Sequence, residues 1–117
     1  MQFSLHPQPT YLRVEMSGMP TPAEVHSMFV EMARQKNEPA RALIELRVEQ
    51  CLSFMDTMQV MSQLSSLGFP SNYRLALVIT DEKMRASAAF AETVGVNRGI
   101  AVRVFEERDV ALRWLGP

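Results

Sequence analysis

The sequence predicts an α/β protein built on a mostly parallel sheet of about five strands, with an N-terminal edge hairpin and about four helices in the order ββαβαβαβα. Three observations carry this. Apolar periodicity switches repeatedly along the chain between the two-residue repeat of strands and the three-and-four spacing of helices. The run Arg74 to Thr80 is nearly continuous apolar sequence, as expected of a central strand covered on both faces. Strands separated by helices also call for right-handed crossovers, which stack the elements as a layered sandwich.

Gln2 to Leu5 and Tyr11 to Met16 read as the hairpin, joined across His6-Pro7-Gln8-Pro9-Thr10, whose two prolines make a turn. The second of these strands alternates, with Tyr11, Arg13 and Glu15 on one face and Leu12, Val14 and Met16 on the other. Thr21-Pro22-Ala23-Glu24 has the residues of a capping box with proline at the first helical position. Val25, Met28, Phe29, Met32 and Ala33 then line one face of a helix ending near Asn37, before Pro39.

Ala42 to Leu46 is a short apolar strand holding one carboxylate, Glu45. A second helix is predicted from Ser53, as N-cap, to Leu67, stopped by Gly68 and Pro70. On it Phe54, Met58, Met61 and Leu64 are expected to face the core, with Met55 to the side and exposed. Asp81 can cap a third helix, Glu82 to Val94, whose alanines suit a close approach to the sheet. Asn97-Arg98-Gly99 turns into a last strand, Ile100 to Phe105, and Glu106 to Leu115 forms a final helix with Val110, Ala111, Trp114 and Leu115 inward.

With 117 residues, 47% of them hydrophobic, the chain suffices for one core, and a single domain over 1–117 is expected. A net charge of -1 with scattered bases argues against nucleic acid as a partner. No run nears the roughly 20 apolar residues of a membrane span. The single cysteine, Cys51, and an N-terminus without the pattern of a secretory signal lead to the expectation of a reducing, cytoplasmic setting.

Leu43-Ile44-Glu45-Leu46 followed by Phe54-Met55-Asp56-Thr57 is similar to the strand, loop and helix start of SpoIIAA-like, or STAS, domains, whose motif is an apolar strand and then Asp-Ser-Ser/Thr-Gly. Leu75-Ala76-Leu77-Val78, Val102-Arg103-Val104-Phe105 and Ala111 to Leu115 resemble the uncharacterised bacterial branch of that family, which is also compared with CRAL-TRIO lipid-binding domains. The resemblance covers nearly the whole chain. It implies a SpoIIAA-like sandwich and a non-enzymatic interaction or regulatory module. In the family a serine at this helix start is phosphorylated, and the added charge controls docking. Here Asp56 and Thr57 match the first two positions, but Met58 occupies the serine position and Gln59 that of the glycine. Thr57 is a conceivable substitute, but threonine near a helix start more often serves as a cap or faces solvent.

Catalytic groups are sparse. His6 lies in a turn and His26 on a helix flank, and a triad of Ser53 or Cys51 with His26 would need all of them gathered at one strand end. The glycines are isolated, and two histidines and one cysteine are too scattered for zinc. No enzyme activity, cofactor or metal is therefore expected. Two regions remain. Cys51, Ser53, Met55, Asp56, Thr57 and Gln59 outline an interaction surface for a protein partner or another copy of the chain. Glu45, Thr80 and Asp81 lie in or after parallel strands, where open α/β sheets bind ligands, with the loop 47–52 beside them. Each has a structural reading as well: Asp81 as a helix cap, Glu45 paired with Arg74, Arg103 or another base. Nine methionines, several on one helix, also allow a pocket for a small apolar ligand or lipid, if Met55 meets Met84 or Phe69 at the surface, although core packing accounts for most of them.

Overall fold

A computed structural model describes residues 1–35 and 40–116. Strands β1 (Gln2–Pro7), β2 (Leu12–Gly18), β3 (Arg41–Val48), β4 (Arg74–Ile79) and β5 (Ala101–Phe105) form one sheet in sequential order. Only the β1–β2 hairpin is antiparallel; β2 to β5 run parallel. This is the predicted five-stranded sheet, with the hairpin at its edge.

The helices are α1 (Pro22–Ala33), α2 (Phe54–Ser62), α3 (Arg85–Asn97) and α4 (Arg108–Leu115). Because every parallel crossover steps the same way along the sheet, right-handedness places α1, α2 and α3 on one face. There Leu12, Val14, Ile44, Leu75, Leu77 and Val102 meet Met28, Phe29, Val60, Met61 and Ala88. Among the described residues the opposite face carries α4 alone, over Leu43, Ala76, Val78 and Phe105.

Local signals explain where elements begin. The Thr21 capping box forms, with Thr21 accepting from the Glu24 amide and Glu24 accepting from that of Thr21. Ser53 caps α2 by accepting from the Asp56 amide at 3.1 Å, and Asp81 accepts from the Lys83 amide at 3.0 Å. The expected end of α1 near Asn37 lies outside the described residues.

The helix expected over 53–67 is broken. α2 stops at Ser62, and Leu64–Leu67 forms a separate 3-10 turn. Ser66 donates through both its amide and its hydroxyl to the Gln63 carbonyl, tightening the chain into the shorter repeat. Likewise Glu82–Met84 is a 3-10 turn leading into α3. The alanines of α3 are only part of its approach to the sheet: Ala88 is buried, but Ala86 and Ala89 are exposed. The closest point is Gly95, where a methyl group would lie 2.4 Å from Val102 Cγ2.

α4 differs from expectation on one side. Ala111 and Leu115, one turn apart, are fully buried, whereas Val110 is 37% exposed. Val110 and Trp114 share a stripe rotated away from the sheet. The large indole still reaches Phe105, with ring centroids 5.6 Å apart, and the short valine does not.

Candidate functional site

The two regions singled out from the sequence lie on opposite faces of the sheet. At the start of α2, Ser53 and Gln59 are exposed, Cys51 and Asp56 half-buried, and Met55 is the most exposed large apolar residue described, at 84%. The expected buried set is corrected: Phe54 and Met58 face outward, and Thr57, Val60 and Met61 face inward. With the helix starting at Phe54, residues 57, 60, 61 and 64 fall on the sheet side and 54 and 58 on the far side, one turn apart. Phe54 compensates by stacking on Phe90 of α3, with centroids 4.8 Å apart and planes inclined by 24°. Met84 is buried in the core, and Phe69 packs edge-on against Phe29 and Tyr73, so neither joins Met55 at the surface. The exposed apolar ridge is Phe54, Met55 and Met58.

Behind α2 lies a cavity of about 100 Å³ between the helix layer and the sheet. Its wall is almost wholly apolar, including Phe29, Ile44, Val60 and Met61. Cys51, Thr57 and Ser87 supply its few polar side chains. Thr57 is only 7% exposed. The Thr57 hydroxyl therefore lines this cavity instead of the outer surface of α2.

On the α4 side, Glu45, Thr80 and Asp81 do come together, in an open cleft of about 810 Å³ at the carboxyl ends of β3 and β4. Arg47 lines this cleft, but Cys51 and Leu52, from the same loop, line the apolar cavity instead. Thr80 donates its hydroxyl to the Leu46 carbonyl at 2.6 Å, which ties the two strand ends. The cleft is rimmed by Glu106, Glu107 and Asp109 at the start of α4.

Glu45 is 3% exposed and is held by three arginines, none of them Arg74 or Arg103. Arg108 Nη2 donates to both carboxylate oxygens at 2.7 and 2.9 Å, Arg13 Nε donates at 2.9 Å and Arg47 Nη2 at 3.1 Å. Burial would raise the carboxyl's pKa, but the hydrogen bonds from Arg108, Arg13 and Arg47 outweigh it and hold the pKa at about 2. A carboxylate so engaged is no general base. Arg74 instead donates to the Trp114 and Leu115 carbonyls at the end of α4, and Arg103 lies over the Phe105 ring. Arg13 and Arg108 are partners of Glu45 that were not singled out from the sequence. Arg13 was legible in outline: Arg13 and Glu15 on one strand share a face with Glu45 and Arg47 on the next, and Glu15 sits directly opposite Glu45. Arg13 also bonds Glu15, so it bridges what would otherwise be two facing like charges.

One polar pair was missed. Ser4 Oγ and His6 Nε2 lie 2.9 Å apart on β1. Among the described residues no carboxylate orients the other ring nitrogen, so the pair lacks the third member of a hydrolytic triad. No group of three or more potential metal ligands occurs among the described residues, and no helix there is long and apolar enough to cross a membrane.

No curated protein and no solved structure matches the chain significantly. The SpoIIAA-like family model does, over residues 11–116. That span includes all four parallel strands, all four helices and both candidate regions, and on this match the chain belongs to the SpoIIAA-like family.

Proposed function

We infer that the chain is a non-enzymatic interaction or regulatory module, a single domain that works without the phosphorylatable serine usual at the start of α2. The observation that carries this reading is the ridge Phe54, Met55 and Met58. Three large apolar side chains stand 53%, 84% and 48% exposed at the place where the family docks its partners. Met58 stands where the family's serine would be, and Thr57, the nearest hydroxyl, is turned into the interior. Binding at this ridge depends on shape and apolar burial, since a net charge of -1 steers a partner little. The partner is a protein with a complementary apolar groove, met in the cytoplasm.

A second reading rests on the apolar cavity, which would hold a small apolar ligand. At about 100 Å³ it is smaller than the roughly 150 Å³ that accommodates benzene in an engineered protein cavity. A lipid chain would enter only with displacement of α2. Native mass spectrometry of protein purified from cells separates the two. Ligand-free protein in an assembly that Met55→Asp disperses supports the first reading, and a stoichiometric small apolar mass on the monomer supports the second.

A further inference from the structure

We propose that the outer edge of β1 is a second interaction surface, whose occupant is β1 of another copy of this chain, paired antiparallel about Ser4. The two edges of the sheet differ in how they are guarded. At β5 the Glu92 carboxylate accepts from the Val104 amide at 2.8 Å, so a side chain of α3 occupies a backbone donor of that edge, and Arg103 adds a charge. β1, with sequence QFSLHP, holds no Lys, Arg, Asp or Glu. Among the described residues nothing pairs with its outer side. Charges are the usual protection of an edge strand, and this strand has none.

The backbone phase suits self-pairing. The Gln8 amide donates to the Tyr11 carbonyl at 2.8 Å, closing the hairpin. Alternation from that bond turns the amides of His6, Ser4 and Gln2 toward β2 and those of Phe3 and Leu5 outward. Pro7, which has no amide hydrogen, also falls on the outward side, the position an edge strand tolerates. Placing a two-fold axis through Ser4 sets Phe3 opposite Leu5 of the second copy, and Leu5 opposite its Phe3. Both are outward-facing pairs, so each exchanges two backbone hydrogen bonds.

Side chains agree with this register. Phe3 and Leu5 point to the helix-covered face yet remain only partly buried, so the seam covers apolar surface that the isolated chain leaves open. On the other face Gln2 meets His6, and Ser4 meets itself on the axis, with no like-charge contact. The two sheets then continue as one, and the ridge on α2 stays free. The proposal is thus independent of the partner reading above.

Sedimentation of the full chain over a range of concentrations tests it. We expect a reversible dimer at about 10 to 500 μM, the weak range suited to a short strand pair. Ser4→Lys places two ammonium groups on the axis, and dimer affinity should fall at least tenfold with circular dichroism unchanged. In a Cys51→Ser background, Ser4→Cys should oxidise to a disulfide-linked dimer, because non-hydrogen-bonded antiparallel neighbours bring Cβ atoms within reach. Gln2→Cys should not, since each copy would hold its cysteine four residues from the other. A monomer at the highest concentration, or Gln2→Cys crosslinking as well as Ser4→Cys, overturns the proposal. Should Ser4→Lys fail to fold, the pair of cysteine variants decides alone.

Discussion

Glu45 and Arg108 are 63 residues apart in the chain, yet both Glu45 carboxylate oxygens accept from the same Arg108 nitrogen, at 2.7 and 2.9 Å. The contact fixes the start of α4 to β3 on the face opposite α1, α2 and α3. Arg74 fixes the other end through the Trp114 carbonyl. An eight-residue helix, too short to be stable alone, is thereby anchored at both termini by arginine.

The Glu45 cluster makes stability depend on pH. Its folded-state pKa of about 2 lies below the ordinary 4.5, so the stabilisation is fully present above pH 4.5 and is lost as pH falls through 2. A depression of this size corresponds to about 3 kcal/mol. Urea melts of Glu45→Gln should show a loss of about 2 to 4 kcal/mol at pH 7, because three guanidinium groups lose their common acceptor. The variant should converge on the wild type near pH 2. Parallel pH curves for the two proteins would show that Glu45 does not carry the dependence.

Within α4, the two faces should separate cleanly. Leu115→Ala should cost about 2 to 5 kcal/mol, as for a fully buried leucine. Trp114→Ala, removing a half-buried ring, should cost about 2 to 3 kcal/mol, and Val110→Ala less than about 1. Denaturant midpoints of the three variants give the order; equal losses at 110 and 115 would place the helix in a different rotation.

Gly95 sets how closely α3 approaches β5. Gly95→Ala would put a methyl group 2.4 Å from Val102 Cγ2, and the overpacking should cost about 1 to 3 kcal/mol despite alanine's better helix propensity. Adding Val102→Ala should recover part of that loss. A double-mutant cycle with no coupling would mean the two residues do not meet.

Thr57 should not be a phosphorylation switch. Its side chain faces the interior cavity, so a kinase would have to unfold the start of α2 to reach it. After incubation of the protein with extract of its own cells and ATP, phosphosite mapping should find Thr57 unmodified. Modification in most molecules would sink the idea.

Much of the fold was legible in the sequence because backbone-level signals dominate it. The Thr21 box, the Ser53 cap and the apolar run of β4 each act locally and each formed as read, whereas Asp81 caps the 3-10 turn before α3 rather than α3 itself. What was not legible depends on rotation or distance. Phe54 and Met58 were assigned inward because apolar residues at helical spacing ordinarily are. Two overlapping helical stripes meet at Met61, one with Phe54 and Met58 and one with Thr57 and Val60; the second turns inward, and Phe90, which arrives from a different helix, stacks on Phe54. Val110 is a similar case: it shares the inward spacing of Trp114 yet is exposed, whereas Trp114 reaches the Phe105 ring. In the cleft, the gathering of Glu45, Thr80 and Asp81 followed from strand polarity. Arg108 comes from the last helix, and only the packing of α4 shows that it reaches Glu45.

The ridge on α2 is the proposed meeting place of the protein and its partner. Met55→Asp tests it most directly, because Met55 is 84% exposed and bears no load in the core. An aspartate there leaves the fold intact but buries an unpaired carboxylate in any contact made by the ridge. With a photo-crosslinking residue at position 59 reporting contact, the wild-type ridge should give a discrete protein adduct. Met55→Asp should lower that adduct at least tenfold at an unchanged circular dichroism spectrum. An adduct that persists undiminished in the folded variant would contradict this placement and move the interface elsewhere.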